Sequence, residues 1–534
     1  MPRSTPTRLL VAAAALVLAA CSKPADPPPA APPATAAKAA GIAWTYAASD
    51  EDVDAAFARA RAAGKPVFVY WGAKWCPPCN QLQATLFPRA DFIERSRSFV
   101  PVYVDGDRPG AQKLGARFKV RGYPTMVLFD KNGNELTRLP GEVEASQYTQ
   151  VLTLGINAQR PVRAVLAAAR DDAGKGLSAD DWRMLAFYSW ETDEQQLVPK
   201  EGLGALLWLL AERCPPAEAE TRMRLLLKAL ATEGARPASL AQAALREQVL
   251  ELLADEPRSR SHMDVLSASA PEIVRALSAD DTPERALLGQ AFDAAMHRFE
   301  LDTSLSRADR VGATIGRVML AKVGASPENK TPKLAEALLA DVRATAQRVD
   351  REVTDPYERQ AVIGSAAYLL EQAGLLDESD ALLQASLARS HSPYYLMSAL
   401  ASNAKRRGDN ETALRWYQEA FDKSEGPATR LQWGASYVNA LVDLAPADAQ
   451  RIERTVERIL GEAAAMPDAF HERSGRSMQR IGGKLQAWNK TGARSDELKR
   501  LQTRIDALCA KLPMGEPQRA VCEGLLKGAP PAAG

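Results

Sequence analysis

Hydrophobic positions along the chain fall into two regimes. Between residues 42 and 158 they come as short continuous runs set between stretches of helical period; beyond residue 160 they recur at intervals of three and four almost without a break. In the first regime residues 67–71, 99–104 and 125–129 are apolar runs rich in β-branched and aromatic side chains, the mark of buried strands. Residues 42–46 read as a shorter strand. Residues 49–63 read as a helix, with Ser49 as N-cap, Glu51 and Asp52 in the first turn, and Gly64 as its stop. A helix starts at Cys76 and is interrupted or ended near Pro88, and another covers residues 109–118. Lys131-Asn132-Gly133-Asn134 is a hairpin turn that returns residues 135–139 antiparallel, and residues 144–154 close with a helix. Strands alternating with helices and ending in a hairpin predict an α/β domain: a mixed sheet with helices on both faces.

The second regime, residues 160–530, is rich in Ala, Leu, Arg and Glu and predicts an all-α region. Leu177-Ser178-Ala179-Asp180-Asp181 recurs as Leu277-Ser278-Ala279-Asp280-Asp281, and each reads as an N-cap signature. A clearer repeat lies in residues 361–428, where Gly374 and Gly408, and likewise Pro393 and Pro427, are 34 positions apart. With Ala413, Tyr417 and Ala420, this pattern resembles tetratricopeptide repeats. The resemblance implies stacked helix pairs whose concave face takes a peptide or protein ligand; an irregular helical domain without a ligand fits the same residues. Trp182, Phe187, Tyr188, Trp190 and Trp208 read as helix-packing core.

Composition narrows the classes. At 534 residues the chain exceeds one ordinary core. With 46% hydrophobic and 25% charged residues it has the make-up of a soluble globular protein. Its net charge is +1, and its one short basic run, Lys405-Arg406-Arg407, reads as a helix end, so nucleic acid is not an expected partner. Arg3 and Arg8 precede an apolar stretch, residues 9–20, too short to span a bilayer comfortably. It ends in Leu18-Ala19-Ala20-Cys21, which resembles the lipobox of bacterial lipoproteins. That resemblance implies a signal peptide over residues 1–21, a lipid on Cys21, and a periplasmic chain held at a membrane, with Ser22 pointing to the outer rather than the inner one. An ordinary secretory signal fits the same residues. Residues 22–41 are Ala/Pro-rich and read as an extended linker.

Six cysteines are too few for a disulfide scaffold. Cys509 and Cys522 flank a loop with Pro513, Gly515 and Pro517; a staple between terminal helices and two reduced buried thiols are both open. Cys214 is left unpaired and reads as a small buried residue. Cys76-Pro77-Pro78-Cys79 is different: it follows the strand at 67–71 and opens a helix, the setting of a redox pair. A helix N-terminus lowers a thiol's pKa. Cys76, expected exposed there, is therefore the attacking cysteine, and Cys79, one turn on and more buried, the resolving one. Zinc would need two further ligands. The four histidines, His262, His297, His391 and His471, all lie in the helical region, so neither metal nor other cofactor is expected. Pro77 and Pro78 remove two N–H donors beside Cys76, which predicts a reducing couple, nearer about −270 mV than about −120 mV.

Trp75-Cys76-Pro77-Pro78-Cys79, then Gly122-Tyr123-Pro124-Thr125, then Gly141, resemble in order the active site, the cis-proline segment and the late glycine of the thioredoxin superfamily. The active-site sequence is similar to those of tryparedoxin and nucleoredoxin, and residues 86–91 resemble the thioredoxin-like domain of the DsbD-type reductant conduit. The resemblance implies a thioredoxin fold over residues 42–158 and a cis Pro124 beside Cys76; a trans proline opening a strand fits Pro124 as well. It also implies substrate contacts from Trp75, Pro77, Pro78, Tyr123, Pro124 and Thr125, with a backbone edge that pairs with an extended substrate. Tyr70 stands where thioredoxins carry a buried acid, so that proton relay does not carry over; water or Lys74 are the substitutes to consider. The expectation is a tethered thiol-disulfide oxidoreductase, reductase or isomerase, with disulfide-bonded proteins as substrates and an outside, membrane-borne thiol reductant. The alternatives are a disulfide oxidase and a helical scaffold with a redox-sensing module.

Overall fold

The computed structural model describes residues 41–527 except 142–143, 195, 234–236, 238–239 and 325–332. The signal peptide, Cys21 and the linker up to residue 40 lie outside the described residues. No helix among the described residues is long and apolar enough to cross a membrane.

Alternation along one strand organises the first region. The strands are β1 (Thr45–Ala47), β2 (Val67–Gly72), β3 (Val100–Asp105), β4 (Thr125–Phe129) and β5 (Glu135–Leu139). They form one mixed sheet in the order β1-β3-β2-β4-β5. Strand β2 is central, parallel to β3 and antiparallel to β4, and every residue of it is buried. Successive side chains of a strand point to opposite faces. Val67, Val69 and Trp71 therefore join one apolar layer with Val53, Phe57 and Leu114, and Phe68 and Tyr70 join another with Leu82, Phe92 and Leu152. The helices covering these faces are α1 (Asp50–Ala63), α2 (Pro77–Thr85), α3 (Ala90–Ser96), α4 (Ala111–Phe118) and α5 (Ala145–Asn157). Local chemistry sets their ends. Ser49 and Asp52 form a capping box at the start of α1, and Gly64 ends it in the left-handed region. In the hairpin, the Asp130 carboxylate accepts the N–H groups of Asn132 and Asn134. The result is the mixed α/β thioredoxin fold.

Beyond Pro161 the described chain is helical. Pro393 and Pro427 each open a helix, Pro393–Arg406 and Pro427–Leu444, at the position where a missing N–H costs nothing. Gly374 and Gly408, both at positive φ, link the helices Pro356–Gln372 and Leu376–Ser386, and Pro393–Arg406 and Asn410–Lys423. Ser178 caps its helix as expected, with Asp181 completing the box. The second copy of that string does not: Ser278 follows the end of the helix Met263–Leu277, and Thr282 caps the next one. Five identical letters meet different flanks there, and Thr282-Pro283 is the stronger helix start. Trp182, Phe187, Tyr188, Trp190 and Trp208 are all buried. Cys509 and Cys522 form a disulfide. Cys214 is free and buried, and burial pushes its thiol up to about 12.

The two regions share one continuous apolar core. At the β5 edge they are joined through Arg138, which is fully buried. Its guanidinium is held by Glu135 and donates to the carbonyls of Phe118, Lys119 and Thr192, and its own carbonyl accepts the Ser189 N–H.

Candidate functional site

Cys76 is the N-cap of α2, and its Sγ accepts the Cys79 N–H at 3.2 Å. The two cysteines form a disulfide. Pro77 and Pro78 occupy the first two helical positions and carry no N–H, so α2 lends the sulfur this single donor. Asn80, itself buried, fixes the loop: its amide donates to the carbonyls of Lys74 and Cys76.

Across the sheet end, the Tyr123–Pro124 peptide is cis. Thr125 is buried, with its hydroxyl on the Gly122 carbonyl. Gly141 packs against the Pro124 ring, where an added Cβ would come within 3.4 Å. The Tyr123 ring stacks on Trp71 and meets Trp75 edge-on, and its hydroxyl accepts from Gln112. Gly106 makes this possible: a Cβ there would lie 2.0 Å from the Tyr123 hydroxyl. Pro77 and Pro78 thus follow Cys76 in α2, Trp75 before it meets the Tyr123 ring, and Thr125 pairs with Trp71 at the end of β2. Tyr70 is buried in an aromatic cluster, stacked on Tyr103 at 5.0 Å, and burial drives its phenol well above its ordinary range. Lys74, considered as a substitute for the missing acid, is turned outward to Glu425 at 3.1 Å.

One expectation is corrected. Cys76 is not exposed: it and Cys79 are each only 2% exposed, and Trp75 6%. The helical region lies over the disulfide loop. The Trp75 indole N–H donates to Thr429 Oγ1 at 2.7 Å, and Thr429 donates through its hydroxyl and its backbone N–H to Asp107. Gly426 lets that strip approach, since a Cβ would meet the Asp107 side chain at 2.7 Å. Gln360 donates to the Trp75 carbonyl. Trp433 and Tyr395 pack on the Trp75 ring, and the Arg473 guanidinium lies over both Trp75 and Tyr123. His391 completes Asn80 by hydrogen-bonding its side-chain oxygen. The Asn80 oxygen can only accept, so His391 Nε2 is the donor, and burial and Lys74 hold the imidazole below its ordinary pKa. Burial raises the Asp107 carboxyl to about 6, against the pull of its Thr429 hydrogen bonds. None of these covering residues carries a sequence signal, because each lies hundreds of positions from the motif it serves.

Beside the covered disulfide a cleft of about 1380 Å³ runs between α2 and the helical region, lined by Pro77, Pro78, Gln81 and Leu82 on one side and Tyr395 and Trp433 on the other. Its floor includes Asp309, whose carboxyl burial raises to about 6 and whose partner Ser306 accepts from Gln81. Elsewhere His297, Glu300 and Asp341 place donor atoms together as metal ligands would. The Arg317 guanidinium occupies that centre, bonded to all three.

Fold and disulfide geometry together define a domain of the thioredoxin class: residues 53–155 match the thioredoxin-like domain family. Among curated proteins, the thiol:disulfide interchange protein DsbD of Pseudomonas fluorescens is 30% identical over 112 residues, 20% of this chain and 19% of that protein. DsbD of Yersinia pestis is 33% identical over 98 residues, 17% of this chain and 16% of its own, and that of Actinobacillus pleuropneumoniae 34% over 89, 16% and 15%. The chain therefore spans less than one fifth of the length of these relatives. Among solved structures, a DsbH oxidoreductase matches with 20% identity over 23% of this chain and 89% of its own, at a TM-score of 0.20.

Proposed function

We propose that the protein is a thiol-disulfide oxidoreductase working by dithiol-disulfide exchange at Cys76 and Cys79, in the reductase or isomerase direction. The observation that carries this is Cys76 capping α2, with the ring of its neighbour Trp75 against Tyr123, whose peptide to Pro124 is cis. In the reduced protein the Cys76 thiolate attacks one sulfur of a substrate disulfide. That S–S bond breaks, the departing thiolate takes a proton, and a mixed disulfide forms on Cys76. The Cys79 thiolate then attacks Cys76 Sγ, releases the second substrate thiol and closes the Cys76–Cys79 bond. Two electrons have passed to the substrate, and an outside dithiol must return them. Cys79→Ala tests the sequence of events: it should accumulate mixed disulfides with substrate proteins, whereas Cys76→Ser should form none.

Direction follows from the sulfur's environment. A thiolate with one N–H donor, buried under a second region, is less stabilised than one at an open helix N-terminus. A couple near about −270 mV is expected, and a value near about −120 mV in thiol redox buffers would reverse the direction to oxidase. The residues from Arg3 to Cys21 support export and a lipid tether; Cys21→Ser should abolish lipid labelling of the chain.

The cover over the disulfide favours one second reading, a scaffold whose thioredoxin-like module senses redox state. Partners retained when both Cys76 and Cys79 are serine would mark the scaffold. Partners lost would mark the enzyme.

A further inference from the structure

Where the cover meets the cis-proline loop, a second, smaller pocket of about 250 Å³ opens beside Gly122. Four guanidinium groups line it: Arg121 from the loop, and Arg473, Arg476 and Arg480 from the helix Glu472–Trp488. Its two carboxylates are already engaged, Glu194 with Arg121 and Glu191 with Lys228. Arg476 is paired with Glu472 and also donates to the Arg121 carbonyl, tying the pocket's two walls. Among the described residues Arg473 and Arg480 pair with no carboxylate. Arg473 donates to Gln432 and Arg480 to Ser477, both neutral acceptors.

This arrangement is unfavourable for a protein that leaves the pocket empty. Arg473 stands in the first turn of that helix, the end at which the helix dipole disfavours positive charge, and Arg476 and Arg480 follow in the next two turns. They also repel one another: burial first, and then the charge of Arg476, pull both Arg473 and Arg480 below their ordinary pKa. An oxoanion would relieve both effects, since a guanidinium presents its N–H fork to a carboxylate. The pocket is smaller than a whole ligand site for a drug-sized molecule and suits one charged end group. Arg473 connects the pocket to the redox loop: its guanidinium lies 5.3 Å from the ring of Trp75, the residue before Cys76, and 4.9 Å from that of Tyr123, the residue before Pro124.

We infer that this arginine pocket binds a carboxylate carried by the thiol or disulfide compound on which Cys76 acts, so that the site selects anionic thiol partners. This rests on the exchange reading above. Oxidation of the reduced protein should be compared for three disulfides of similar length: dithiodipropionate, which is anionic, bis-hydroxyethyl disulfide, which is neutral, and cystamine, which is cationic. The anionic compound should react faster than the neutral one by about tenfold, the scale of one charge-assisted hydrogen bond, and cystamine should be slowest. Arg480→Gln should bring the anionic-to-neutral ratio close to one. Arg415→Gln, a charge change at an exposed helix position, should leave it as it is. A ratio near one in the native protein, or a ratio that Arg480→Gln does not move, overturns the proposal. Failure of all three disulfides would fall on the exchange reading instead. Octanedioate, which has the shape of dithiodipropionate without its sulfurs, then decides for the pocket. Calorimetry on the Cys76→Ser, Cys79→Ser protein should show it bind, and bind less in Arg480→Gln; no binding in the former, or equal binding in both, contradicts a carboxylate site.

Discussion

Two of the places where the helical region meets the thioredoxin-like domain are built differently. At the β5 edge the join is a buried arginine. Arg138 has no exposure, and its guanidinium is satisfied by Glu135 and three backbone carbonyls drawn from both regions. Removing the guanidinium leaves the Phe118 carbonyl buried without a partner. At the disulfide the join is an aromatic cluster ringed by hydrogen bonds, among them Trp75 to Thr429, Thr429 to Asp107 and Gln360 to the Trp75 carbonyl, with the exposed pair Lys74–Glu425 at its edge. The first is centred on one buried guanidinium that bonds both regions. The second is aromatic packing and hydrogen bonding placed directly over the redox loop. Exchange chemistry requires this difference, because a disulfide 2% exposed cannot meet a protein disulfide until its cover lifts.

Four substitutions separate the two joins. The largest effect is expected at Arg138: Arg138→Met leaves the buried Phe118 carbonyl, the part-buried carbonyls of Lys119 and Thr192, and Glu135 without their partner, and should cost about 3–5 kcal/mol in denaturant unfolding. A cost below about 1 kcal/mol would erase the contrast. Next is Thr429→Val, which keeps the shape but removes the acceptor of Trp75 and the hydroxyl donor to Asp107. It should weaken the cover by about 1–2 kcal/mol and speed reduction of the Cys76–Cys79 disulfide by roughly tenfold, with a small shift in the global unfolding midpoint.

A third effect is one of pH. The Asp107 carboxyl is raised from 3.8 to about 6 by burial, with Asp105 adding repulsion and Thr429 and Arg473 opposing. The folded state thus holds the proton more tightly than the unfolded one. Its contribution to stability is complete below the unfolded value and is lost as pH rises through about 6. Asp107→Asn should flatten the fall in thermal midpoint between about pH 4.5 and pH 7; an unchanged slope would mean that this carboxyl does not titrate with the cover. The smallest effect is Lys74→Ala. Both partners of that ion pair are exposed, so the loss should stay within about 0.5 kcal/mol, with no change in disulfide reduction rate.

What the sequence makes legible is local. The apolar run at β2, Gly64 after α1, the hairpin at Asp130–Asn134 and the Cys-Pro-Pro-Cys helix start each depend on neighbours within a few positions, and each is where the pattern puts it. Trp182 and its aromatic neighbours are core for the same reason. The exposure of Cys76 is not a local property. It is set by Gln360, Thr429 and Arg473, whose letters have no periodicity or spacing that refers to residue 76. Trp75 shows the consequence: the motif marks it as a substrate contact, while in the oxidised structure its indole bonds to the chain's own Thr429. The repeated string at Ser278 fails in the other direction, since a short match carries no information about the helix that precedes it.

The central claim, that the cover gates the disulfide, is tested most directly by reducing the oxidised native protein with two thiols of equal intrinsic reactivity, a small one and one attached to a polymer of protein size. The small thiol should react measurably and the polymer-bound thiol far more slowly. Thr429→Val combined with Gln360→Leu should close most of the gap between them. Equal rates for both thiols in the native protein would show that the disulfide is open in solution and contradict the account.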